Sequence, residues 1–143
     1  MASSTFEGLV IEARDALDRI VKGDPEGYKA LYSRADDVTL GNPFGGFARG
    51  FDEVAKTLER AASNFRDGVT TGFETLTEHV SDGLAYTVEI ERTQARVAGG
   101  AEISPIALRV TSIYRLESEG WKLVHRHADP RVDRQTAESV LQR

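Results

Sequence analysis

From Thr70 onward, apolar and polar residues alternate with a period of two through four successive runs: TTGFETLTEHV, LAYTVEIERTQARV, EISPIALRVTSIYRLE and WKLVHRHA. They are separated by SDG, AGGA and SEG, which carry the glycine and small polar residues of hairpin turns. Strands joined by turns this short run antiparallel, because a parallel connection needs a crossover of a dozen residues or more. The second half of the chain therefore reads as a meander of long strands. One face of such a sheet must be covered, and the first half of the chain has to supply the cover.

That half is helical. In STFEGLVIEARDALDRIVKGD, Phe6, Leu9, Val10, Ala13, Leu17, Ile20 and Val21 recur on one stripe. Ser4 or Thr5 can cap its start, and Gly23 stops its end. Asp24 and Pro25 then open a short second helix whose buried face is Tyr28, Leu31 and Tyr32. Val38 to Leu40 read as a short strand, and Asn42-Pro43 with Gly45-Gly46 as a loop. A third helix follows, with its stripe on Phe51, Val54, Leu58, Ala61 and Phe65, and Gly68 as its stop. Segregated helices and an antiparallel sheet make the class α+β. Residues 1–130 read as one domain, and residues 131–143 as a polar tail or short helix.

Bulk properties exclude several functions. Asp plus Glu number 23 against 18 Lys plus Arg, and no basic patch stands out, so nucleic acid is not the expected partner. There is no cysteine, which removes thiolate chemistry and cysteine metal sites and fits a reducing compartment. No apolar run approaches the ~20 residues that span a bilayer. The N-terminal residues lack the pattern of a signal peptide. The expectation is a cytoplasmic domain without membrane or cofactor. GNPFGG has neither GxGxxG nor GxxxxGK[ST] spacing, which excludes a phosphate-cradling loop.

The succession GDPEGYKALYSRADDVTLGNPFGG, a helix, LAYTVEIER, then ALRVTSIYRLESEGWKLVHRHADP resembles the nuclear transport factor 2-like superfamily, and within it the SnoaL-like and ketosteroid isomerase-like group. The resemblance covers Phe6 to Pro130. It implies a cone-shaped curved antiparallel sheet wrapped around three N-terminal helices, with a pocket at its open end and a homodimer formed through the outer sheet face. The fold hosts many functions, so the site must be argued by itself. Against ketosteroid isomerases, Asn42 stands where the general base belongs, and an amide cannot take up a proton at neutral pH. Ser112 matches the position of their second acid. Asp15 falls near their tyrosine but points away from the apolar stripe. Limonene-epoxide hydrolases hold a water with an asparagine near this loop, and the kinase association domain holds small carboxylates with pocket arginines.

Alternation assigns faces to the strands. The set Leu108, Val110, Ser112, Tyr114, Leu116 is the apolar one and should face the helices, as should Tyr86, Val88 and Ile90, leaving Thr87, Glu89 and Glu91 outside. In the last strand, apolarity favours Trp121, Leu123, His125 and His127 as the inner set. The resemblance favours Val124, Arg126 and Ala128, the reading adopted here. His125 and His127 are spaced as metal ligands can be, but a site needs a third ligand, and His79 is not tied to them. The expected site is thus a ligand pocket lined by Tyr86, Val88, Val110, Ser112 and Tyr114. Asn42 and Arg126 are its polar anchors, Arg126 for a ligand carboxylate or else in a structural ion pair with Asp129, Asp37 or another acid. Catalytic residues stay open, with Asn42, His125 and His127 as candidates and no metal. The function expected is small-molecule binding, with isomerase, cyclase or hydrolase chemistry lacking the ketosteroid isomerase base. The alternative is a non-catalytic association module.

Overall fold

A computed structural model describes residues 5–142; Ser4, one of the two candidate caps, lies outside them. Helix α1 spans Phe6–Ile20, and Thr5 caps it by accepting the Gly8 N–H at 3.1 Å. Gly23, at φ +94°, lets the chain turn back, and Asp24 accepts the Glu26 N–H at the start of α2, Glu26–Leu31. Strand β1 is Thr39–Gly41, β2 is the two-residue Ala48–Arg49, and helix α3 is Phe51–Ala62. Four long strands follow: β3 (Phe65–Val80), β4 (Leu84–Val97), β5 (Ser104–Glu117) and β6 (Gly120–Asp129). A 3-10 turn at Ala137–Val140 lies in the C-terminal segment. Helices and sheet are segregated, and the sheet is curved and unclosed, as the alternation and the resemblance require.

The sheet order is β2-β1-β6-β5-β4-β3. The meander is antiparallel throughout, and β1 joins it parallel to β6. α1 and α2 pack on the concave face, where Leu9, Leu17, Tyr32, Leu40, Leu123 and Trp121 are buried together. Each large apolar side chain so buried stabilises the fold by about 1.5–3 kcal/mol. No helix among the described residues is long and apolar enough to cross a membrane.

Gly68 does not stop the third helix. α3 ends at Ala62, and Gly68 lies inside β3. The glycine is needed because β3 runs against the end of α1. Its N–H donates to Val21 O at 3.0 Å, and a Cβ there would overlap that carbonyl and come within 2.6 Å of Val21 Cβ. Register shifts in β3 between Arg66 and Val69 and between Thr70 and Gly72 interrupt its pairing with β4 in this region. α1 takes up two of the donors: Val21 O accepts from Gly68, and Asp18 Oδ1 accepts the Thr70 N–H at 2.9 Å. The Lys22 ammonium, with the Thr70 N–H and hydroxyl, holds the Asp18 carboxyl below its ordinary value.

The choice of inner set in β6 dissolves at a bulge in that strand. Ile113 pairs with His125 and Tyr114 pairs with Leu123, so Val124 is the extra residue. Alternation restarts there. Trp121 and Leu123 are buried before the bulge, and Arg126 and Ala128 after it. His125 and His127 turn to the opposite face, where His125 Nδ1 lies 2.7 Å from Thr39 Oγ1 and His127 packs edge-on against Phe47.

Candidate functional site

The face assignment of β4 is reversed in the structure. Ala85, Thr87, Glu91, Thr93 and Ala95 are buried, while Tyr86 is 40% exposed and stacks on His79. Tyr86 and Val88, expected to line a pocket, share the outer face with Ile90. Apolarity misled because the inner face carries charge in compensated form. Glu89 reaches Arg14 of α1 at 3.1 Å, and Glu91 reaches Arg126 of β6. A buried carboxylate is tolerated when a guanidinium and hydrogen bonds replace its water.

The Glu91–Arg126 pair is the centre of the site. Both side chains are more than nine-tenths buried, at 6% and 8% exposure. Arg126 NH1 donates to Glu91 Oε2 at 2.8 Å and NH2 to Oε1 at 2.7 Å, a two-pronged contact. NH1 also donates to the Tyr28 hydroxyl at 3.0 Å. Burial alone would push the guanidinium toward neutrality, but the Glu91 charge and hydrogen bonds outweigh it, so its pKa is raised. Burial, with Glu91 close by, raises the Tyr28 phenol well above its ordinary value, against the opposing pull of Arg126. Tyr28 therefore stays protonated. Arg126 is committed to Glu91 and Tyr28, the structural ion pair rather than the ligand anchor, with an acid not named among its expected mates. The signal was present as Glu91 at an inner-face position, but only knowledge of the face would have exposed it.

Above this pair lies a narrow crevice of about 60 Å³. Leu17, Ile20, Leu58, Phe65, Ile106 and Leu108 give it apolar walls, and Tyr28, Glu91, Thr93 and Arg126 add polar groups. Asn42, Pro43 and Phe44 line it from the β1–β2 loop. Asn42 Oδ1 accepts the Phe44 N–H at 2.9 Å, the turn chemistry expected before Pro43, and the residue still borders the crevice. Phe44 is 56% exposed and stacks on Phe65, with ring centroids 6.0 Å apart. Val110, Ser112 and Tyr114 are buried on the inner face, beside Arg126 and Ala128 through the pairs Ser112–Arg126 and Val110–Ala128. Ser112 and Tyr114 border a separate chamber rather than the crevice.

That chamber, about 10 Å³, also touches Arg14, Thr87, Glu89 and Glu91. Burial pushes the Tyr114 phenol up to about 12, so it too is a donor at neutral pH. Arg14 Nε is buried here and has no partner among the described residues. An orphaned buried donor beside a polar void of this size calls for an ordered water. A crystal structure resolving solvent should show one within hydrogen-bond distance of Arg14 Nε; an empty chamber at high resolution refutes this.

The histidines sit apart from the crevice. No group of three metal-ligating side chains comes together among the described residues. Burial, then the neighbouring His127 charge, lowers the His125 pKa from its ordinary 6.5. Between the lowered folded value and 6.5 the unfolded chain binds more protons, so His125 reduces stability as pH falls through that window. His125→Gln should flatten this part of the stability-versus-pH curve measured by urea unfolding. An unchanged slope would show that His125 is not its source.

A family model for the SnoaL-like domain matches residues 13–130. The chain belongs to the SnoaL-like domain family. This SnoaL-like domain is also similar in structure to several solved proteins. One is a nuclear transport factor 2-like superfamily protein from Salmonella enterica, at TM-score 0.72 and 17% identity, covering 94% of this chain and 99% of that one. Another is a ketosteroid isomerase-like protein from Erwinia carotovora, at TM-score 0.72 and 19% identity, covering 89% and 94%. A third is a Thiobacillus denitrificans protein assigned as a calcium/calmodulin-dependent protein kinase type II association domain, at TM-score 0.72 and 21% identity, covering 91% and 98%. These identities establish the SnoaL-like, nuclear transport factor 2-like fold and nothing finer. No curated protein matches the chain.

Proposed function

We propose that this SnoaL-like domain binds a compact, largely apolar small molecule in the crevice and acts on it by proton transfer, as an isomerase, cyclase or hydrolase does. One observation carries the reading: a carboxylate, Glu91, held nine-tenths buried by Arg126 beside the protonated Tyr28 phenol in an otherwise apolar crevice. Such a grouping offers an acceptor and a donor in a place where electrostatic interactions are strong. Arg126 positions the carboxylate, and Asn42 stands at the crevice edge where it can contact a ligand oxygen. Without an aspartate at Asn42, the ketosteroid isomerase base is absent from its usual place. We assign the protein to the cytoplasm, on its lack of cysteine.

The second reading is an association module. The outer sheet face favours it, because Leu84 and Tyr86 of β4 leave apolar surface in solvent there. The association-domain assignment of one similar structure points the same way. A homodimer through this face is compatible with both readings.

Native mass spectrometry of the purified protein tests them. A reproducible extra mass that disappears in Ile106→Trp, where the indole fills the crevice, supports the small-molecule reading. A bare oligomer that stays empty after soaking in mixed metabolites moves the function to the outer face.

A further inference from the structure

The crevice is far smaller than the ~300–1,000 Å³ of typical ligand sites. Beside it runs an open groove of about 540 Å³. Leu40, Asn42, Phe44 and Ala61 border both, so the loop carrying Phe44 is the partition between them. Gly45 and Gly46 follow Phe44 at φ +101° and +70°, with nothing within 4 Å of where a Cβ would stand. The loop thus has room to move, and moving Phe44 merges the two spaces.

The groove differs from the crevice in charge. Arg60 of α3 lines it, and no acidic side chain does. The Arg60 guanidinium donates to Thr57 Oγ1 at 3.1 Å and has no carboxylate partner among the described residues, unlike Arg14, Arg109, Arg115 and Arg126. A cation at a helix C-terminus is favourable by itself. That accounts for an arginine in this turn; what the groove adds is that Arg60 is, among the described residues, the one cationic side chain of a lining that holds no acid.

We infer that the ligand is an amphipathic anion, its apolar part in the crevice and its acidic group at Arg60 in the groove. This rests on the small-molecule reading above, and it moves the anion anchor from Arg126 to Arg60. Free guanidinium donors suit a carboxylate or a phosphate alike.

The test uses two fluorescent probes, the anionic anilinonaphthalenesulfonate and the uncharged N-phenylnaphthylamine. The expected result is that Ile106→Trp weakens both. Arg60→Ala should weaken the sulfonate by roughly tenfold or more, the loss of one charge-assisted contact, and leave the neutral probe within about twofold. Arg60→Lys should restore most of the difference. Displacement of the sulfonate by octanoate or by octyl phosphate then tells which acid is preferred. If Ile106→Trp weakens both probes while Arg60→Ala spares the sulfonate or weakens both alike, the anionic assignment is overturned and the crevice reading survives. If neither probe binds, or neither responds to Ile106→Trp, both fall together.

Discussion

Replacing Glu91 by alanine should lower the unfolding free energy by about 3–5 kcal/mol, the effect of leaving a buried charge without its partner. The geometry behind this is the two-pronged contact to Arg126, at 2.7 and 2.8 Å, with both side chains out of solvent. The loss comes from the orphaned guanidinium more than from the missing contact. The double variant Glu91→Leu/Arg126→Leu should therefore be much more stable than the single one, since apolar replacement of a buried pair is often neutral. Urea unfolding at neutral pH measures both. A single variant that loses under about 1 kcal/mol would mean that water already reaches the pair in solution.

Gly68→Ala is the second large effect expected. Most strand glycines accept a methyl group at little cost, but here a Cβ would overlap the Val21 carbonyl and crowd the Val21 side chain. Either α1 withdraws from β3 or the bulged segment shifts, and both disturb the Gly68–Val21 and Thr70–Asp18 hydrogen bonds. The loss should reach the upper end of the ~1–3 kcal/mol typical of overpacking. Gly72→Ala is the control: it lies on the same strand and a Cβ there meets nothing within 4 Å. Equal losses from the two variants would dismiss the close approach as the reason for Gly68.

The architecture was legible in the sequence wherever local periodicity carries it. The stripe of α1, the four period-two runs and their turns all lie where the alternation puts them. Gly68 was misread because a helix stop and a glycine forced by close approach look identical along the chain. β4 was misread because counting apolar residues assumes that the outer face of a sheet is wet and the inner one dry. This sheet keeps Glu89 and Glu91 inside and Val88 and Ile90 outside, so the count points the wrong way. Long-range partners decide such cases: Arg14 is 75 positions from Glu89, and Arg126 is 35 from Glu91. Arg126 and Asn42, which the sequence singled out, border the crevice, whereas Glu91, Tyr28 and Phe44 enter only through tertiary structure.

The single extra residue at Val124 has a consequence for how chains of this kind tolerate change in length. Up to that point β6 packs Trp121 and Leu123 into the core, and beyond it the same strand supplies Arg126 to the site. Deleting Val124 would remove the bulge and leave both halves of the strand in their present pairing, Leu123 with Tyr114 and His125 with Ile113. Arg126 would still face Glu91, and His125 and His127 would still face outward. The bulge is thus a place where β6 can lose a codon without exchanging the side chain that meets the carboxylate.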